Sequence, residues 1–227
     1  MARFTRIEVA LKMSECGIIP VFYHPDIQVC KEVMRVAYTA GARVFEFTNR
    51  GDFAQELFGE LNKWAERELP EMILGVGSVV DASTTALYLQ LGANFVVSPL
   101  LNEEMARVCN RRKVLWSPGC GSLTEIGKAE ELGAEIVKIF PGAAVGGPAF
   151  VKAVKGPCPW SSIMPTGGVE PTEENLDAWF KAGVTCVGMG SNLFPKSKIQ
   201  AGNWEELTAF VKNCYAILHR VRTRLKK

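Results

Sequence analysis

The sequence predicts an α/β protein folded as a (β/α)8 TIM barrel with a short N-terminal helix. Three observations carry this. Short apolar runs with strand character alternate with amphipathic stretches, eight times along the chain. The units repeat at roughly 19 to 28 residues, the length of one compact β-α step. A turn signature also recurs just before predicted strands: Ala-Gly-Ala at 40–42, Leu-Gly-Ala at 91–93 and 132–134, and Ala-Gly-Val at 182–184. Glycine at those positions suits a helix that ends in a left-handed residue. An open doubly wound sheet is the alternative. It carries a glycine-rich fingerprint after its first strand, whereas Pro20-Val-Phe-Tyr-His-Pro25 stands here.

Each element has its own signal. Residues 3–16 place Phe4, Ile7 and Leu11 on one side of a short amphipathic helix. Strands are expected at 17–23, 44–49, 72–79, 95–99, 114–118, 136–141, 163–166 and 186–191. The helix over 27–40 has Ile27, Cys30, Val33, Met34 and Ala37 on its stripe, and that over 53–68 has Phe53, Leu57, Leu61 and Trp64. Asp81 and Asn102 read as N-caps, and Ser122 with Glu125 as a capping box. Pro171 and Thr172 open the seventh helix, and Asn203 precedes the last, which spans 203–227 with a basic tail. Residues 1–227 are expected to form one barrel domain.

Composition narrows the function classes. With 48% hydrophobic residues the chain can bury a large core. Its 26 basic and 24 acidic residues nearly cancel, so neither nucleic acid nor a membrane is an expected partner. The seven cysteines are scattered and form no C-x-x-C pair, which argues for a reducing, cytoplasmic setting. Met1 to Glu15 lacks the apolar core of a leader peptide. No HExxH, P-loop or carboxylate cluster occurs, so neither a metal nor another cofactor is expected. The basic tail from His219 reads as a solvated helix end, whose cations complement the helix dipole.

One residue is out of place. Ile136-Val-Lys-Ile-Phe140 is a buried strand with lysine at its centre. Ile136, Lys138 and Phe140 share one face, Val137 and Ile139 the other. Burial disfavours the ammonium and lowers its pKa, and a neutral amine attacks ketones. A lysine snorkelling from a strand end to water fits the same pattern equally well. Glu46, between Phe45 and Phe47, is expected to be desolvated and suited to proton transfer, or else to form a structural ion pair inside the barrel, for which Lys138 is a candidate partner. In a TIM barrel the site lies at the C-terminal strand ends. There, Gly167-Gly168 and Gly190-Ser191 follow the seventh and eighth strands, where phosphate binds in such barrels. His24, beside Pro25, reads as a loop residue, and Trp64, Trp179 and Trp204 as packing.

Six motifs stand in order: Val44-Phe-Glu-Phe-Thr-Asn-Arg50, Gly75-Val-Gly-Ser-Val79, Val97-Ser-Pro99, Lys138-Ile-Phe-Pro141, Pro165-Thr-Gly-Gly-Val169 and Gly188-Met-Gly-Ser191. Together they resemble the 2-keto-3-deoxy-6-phosphogluconate (KDPG) / 4-hydroxy-2-oxoglutarate (KHG) aldolases, from about Gly17 to Pro195. The resemblance implies a metal-independent class I aldolase without cofactor, working on small 2-keto acids as a homotrimer. It implies that Lys138 is the Schiff-base lysine and Glu46 the general acid/base. Arg50, Ser78 and Pro99 would line the pyruvyl carboxylate pocket, and Phe140 would pack beside the Schiff base. Thr166, Gly167, Gly168, Gly190 and Ser191 would hold the distal, phosphorylated end. The family commonly has threonine at Ser78, Ala-Glu at Gly142-Ala143, and other residues at Asn49 and Gly51-Asp52, which bears on substrate preference. The alternatives are a class I aldolase for another 2-keto-3-deoxy sugar acid such as 6-phosphogalactonate, a phosphate-binding isomerase or synthase, and a non-catalytic sugar-phosphate-binding barrel.

Overall fold

A computed structural model describes residues 2–225. All strand pairs are parallel and helices separate most successive strands, as the alternating pattern predicts. The first sheet has the order β5-β4-β3-β2-β1-β9 and the second β6-β7-β8. The strands are β1 Ile18–Phe22, β2 Val44–Thr48, β3 Ile73–Gly77, β4 Phe95–Val97, β5 Leu115–Ser117, β6 Gly119–Cys120, β7 Val137–Ile139, β8 Ile163–Pro165 and β9 Val187–Met189. Both sheets curl around a common interior.

The sequence predicts one uninterrupted ring, and the ladders differ from it in two places. The predicted fifth strand, 114–118, is followed beyond Pro118 by a short strand that the sequence does not predict: β5 pairs with β4, and β6 pairs with β7. Proline has no N–H to give a ladder, so a strand passing through it breaks there. Its carbonyl still accepts the Lys138 N–H at 2.9 Å. On the far side a single bridge, Thr166 to Gly188, links the end of β8 to β9.

Strand parity sorts the core into two parts. Ile19, Val44, Ile73, Phe95, Val97, Leu115, Ile136, Met164 and Cys186 form the inner cluster. Their strand neighbours, among them Phe45, Phe47, Val137 and Ile139, pack outward against the helices. Helix α1 (Arg6–Cys16) contributes Val9 and Met13 to the inner cluster. The expected face of this helix is corrected: Ile7 and Leu11 are each 67% exposed. Apolar residues occur on two sides of α1, and the Val9–Met13 pair, one turn apart, meets the core. Phe53 is likewise displaced from the expected stripe. It caps α3 (Ala54–Glu68) in a left-handed conformation and is 67% exposed, while Phe58, Leu61 and Trp64 are buried.

The N-cap signals hold, but the expected box at Ser122 and Glu125 is only half formed, because the Glu125 carboxylate accepts the Gly121 N–H at 3.0 Å. Asp81, Asn102, Ser122 and Thr172 each accept a backbone N–H at a helix start. The recurrent glycines at 41, 92, 133 and 183 all have positive φ. Helix α10 (Trp204–Leu225) closes the described chain, and two of its arginines are tied to the rest of the fold. Arg224 pairs with Glu173 at 2.8 Å and with Asp177, and Arg222 donates to the carbonyls of Ser14 and Glu15. The last two lysines of the tail lie outside the described residues. Among the described residues no helix is long and apolar enough to cross a membrane.

Candidate active site

Glu46 and Lys138 project into the interior from different sheets, on β2 and β7. They are 1% and 5% exposed. The parity that buries Val44 inward also turns Glu46 inward, and Ile136 does the same for Lys138. Phe45 and Phe47 therefore do not desolvate Glu46, since they face the helices. The carboxylate instead occupies space left by a glycine: a Cβ on Gly77 would lie 1.8 Å from Glu46 Oε1.

No salt bridge joins the pair, and Glu46 Oε2 is buried without a hydrogen-bond partner. Burial pushes the Glu46 carboxyl above its ordinary value, against the pull of Lys138 and Arg50. Burial pushes the Lys138 amine below its ordinary value, Glu46 opposing and Arg50 assisting. The snorkelling alternative is thereby set aside. The side chain is 5% exposed, and its nitrogen lies 4.7 Å from the centre of the Phe140 ring.

A cavity of about 550 Å³ lies over this pair. Of the residues expected at the site, Arg50, Phe140, Thr166, Gly167, Gly168, Gly190 and Ser191 line it. Lys138, Glu46, Ser78 and Pro99 do not. Thr48 and Phe140, two residues beyond Glu46 and Lys138 on the same faces, do line it, so the pair sits one step deeper.

Neighbouring contacts hold the remaining residues near this centre. Arg50 Nε donates to Ser78 Oγ at 3.2 Å, and Ser78 itself has a φ of 59°. Tyr88 donates to Asn49 Oδ1 at 2.8 Å, bracing the segment that carries Arg50. Pro99 packs on Gly119, where a Cβ would come within 2.3 Å of the Pro99 carbonyl. Gly119 is the register partner of Lys138. The Gly167 and Gly168 carbonyls are occupied, by the Ala143 N–H and by Asn175 and Trp179. Their own N–H groups have no backbone acceptor among the described residues. The Thr166 hydroxyl is buried without a partner.

Sequence reasoning missed part of the lining. Tyr23, His24, Asn192 and Lys196 are on the cavity wall. His24 and Tyr23 follow β1 directly, so the rule that placed other residues at strand ends covers them too. Lys196 lies beyond the last strand, where no strand-end rule reaches.

An α/β fold with a buried, unpaired lysine near a buried carboxylate suits carbonyl chemistry through an amine. Residues 9–210 match the model of the KDPG and KHG aldolase family. The chain belongs to that family. It is 30% identical over 203 residues to the 2-dehydro-3-deoxy-phosphogluconate aldolase of Pseudoalteromonas atlantica, covering 89% of this chain and 92% of that protein. The enzyme of the same name from Haemophilus influenzae is 30% identical over 218 residues, covering 95% and 99% of the two chains. Among solved structures, the KDPG aldolase of Legionella pneumophila superposes with a TM-score of 0.81 at 25% identity, covering 92% of this chain and 97% of that one. That structure holds pyruvate captured at low pH as a covalent carbinolamine intermediate.

Proposed function

We propose that this chain is a class I aldolase that cleaves KDPG to pyruvate and glyceraldehyde 3-phosphate, KHG to pyruvate and glyoxylate, or both. The observation that carries the reading is Lys138: a buried lysine with a lowered pKa, free of any salt bridge, beneath a substrate-sized cavity. Its neutral amine adds to the C2 ketone, and loss of water gives an iminium. Glu46 takes the proton of the C4 hydroxyl, directly or through water, and the C3–C4 bond breaks. Its electron pair moves into the iminium, leaving an enamine on Lys138 and releasing the aldehyde. Proton return to C3 and hydrolysis free pyruvate. Arg50 and Ser78 receive the carboxylate, with Pro99 alongside, and Phe140 packs beside the imine. Thr166, Gly167, Gly168, Gly190 and Ser191 hold the distal end.

The experiment is borohydride reduction in the presence of pyruvate, followed by peptide mass analysis. A three-carbon adduct on Lys138 is expected. Reduction without an adduct there removes the mechanism.

The same reading extends to architecture. β5 and β6 act as one strand bent at Pro118, which with the Thr166–Gly188 bridge supports a closed eight-stranded barrel in a single domain. Phe53, Val80, Leu87, Leu100 and Leu123 are exposed apolar side chains on consecutive βα segments, and they support a homotrimer. Unpaired cysteines support a cytoplasmic setting.

A further inference from the structure

The cavity carries a charge that the scheme above leaves unused. Among the described residues no Asp or Glu lines it, and its cationic side chains are Arg50 and Lys196. Arg50 is committed to the reacting end, through Ser78 and through its effect on both Glu46 and Lys138. His24 Nδ1 is occupied by the Asp26 N–H at 3.1 Å. Lys198, two residues on from Lys196, is taken up by Glu206. Lys196 has no ion pair or side-chain hydrogen bond among the described residues.

The sheet order β2-β1-β9 places the two cations on either side of the β1 end, Arg50 after β2 and Lys196 beyond β9. Neighbouring strands lie about 4.8 Å apart, so the strands that lead into these segments, β2 and β9, are roughly 10 Å apart across β1. A ligand with one anionic group at each end fits such a wall. In a six-carbon 2-keto acid phosphorylated at its far end, those groups are the carboxylate and the phosphate. An ammonium is a compact charge with three donors, suited to a phosphate dianion.

We propose that Lys196 is the specificity-determining cation that receives the substrate's distal phosphate, opposite the carboxylate held by Arg50. The assignment rests on the aldolase reading above. It also gives a role to the one solvent-facing lysine on the cavity wall.

The test compares wild type, Lys196→Gln and Lys196→Arg on KDPG and on its unphosphorylated analogue, 2-keto-3-deoxygluconate. In Lys196→Gln the KM for KDPG should rise about tenfold or more with kcat little changed, as expected for loss of one charge-assisted contact. The preference for the phosphorylated substrate should fall by the same factor, and Lys196→Arg should restore most of it. An unchanged preference, or equal losses on both substrates, overturns the assignment. Borohydride trapping on the wild type separates the two ideas. If pyruvate is trapped on Lys138 and the preference does not move, only the role of Lys196 fails. If no pyruvate is trapped, the aldolase reading fails and the assignment falls with it.

Discussion

Gly77 and Glu46 share one volume: the carboxylate of Glu46 occupies the place where a side chain on Gly77 would begin, 1.8 Å from Oε1. Gly77 has no left-handed backbone to excuse it, so its small size is the property that matters.

Gly77→Ala is therefore expected to act on Glu46. The carboxylate must move, and forcing a methyl group into a packed interior costs about 1–3 kcal/mol. Activity should fall by about a hundredfold or more through kcat, since Glu46 loses its position against the substrate. Deuterium exchange at the pyruvate methyl checks it. Exchange at the wild-type rate in a folded Gly77→Ala protein would show that another base acts.

The Lys138 amine should also be visible in stability. Its native pKa lies below the ordinary 10.5. Between that lowered value and about 10.5 the unfolded chain holds a proton that the folded chain lacks, so stability rises with pH by up to about 1.4 kcal/mol per unit. Glu46 has the opposite sign: from 4.5 up to its raised value the folded chain holds the extra proton, and its contribution falls as pH rises. Denaturant titrations of wild type and Lys138→Met across the alkaline range isolate the lysine. Wild type should gain on the variant as pH approaches 10.5, and a constant difference refutes the lowered pKa.

Thr166 offers a test of binding without folding. Its hydroxyl is buried and unpartnered, so Thr166→Val removes no protein hydrogen bond. The melting temperature should hold or rise slightly, while KM for the substrate rises about fivefold for the lost contact. A clear drop in melting temperature with unchanged KM would mean that the hydroxyl serves the fold.

The exposed apolar residues after β2 and β4 predict assembly. Sedimentation should give three copies for the wild type, and Phe53→Ser with Leu100→Ser should shift it toward single chains. A wild-type monomer rules the trimer out.

Much of this was legible in the sequence because strand parity and turn glycines are local signals. Parity put Ile136 and Lys138 on one face, which the structure turns inward, and the turn glycines at 41, 92, 133 and 183 took up the predicted backbone. Glu46 was found for an incomplete reason: its flanking phenylalanines face the helices, and its burial depends on Gly77 one strand away. That is a contact between strands, which spacing along the chain does not encode. The exposed faces of α1 and Phe53 were misjudged for a similar cause. Helical periodicity identifies an apolar side, but packing partners decide which side is covered. Lys196 escaped notice because it lies in a segment with no strand to index it.

The break at Pro118 gives the two central residues separate carriers. Glu46 rides on the six-stranded sheet and Lys138 on the three-stranded one, and the sheets meet at Pro118 and at the Thr166–Gly188 bridge. The gap between these two side chains is thus a property of a seam between the sheets. Gly188 lies on that seam: a Cβ there would fall 2.4 Å from the Thr166 hydroxyl oxygen. A substitution at that joint would shift one sheet against the other while leaving Glu46 and Lys138 themselves unchanged.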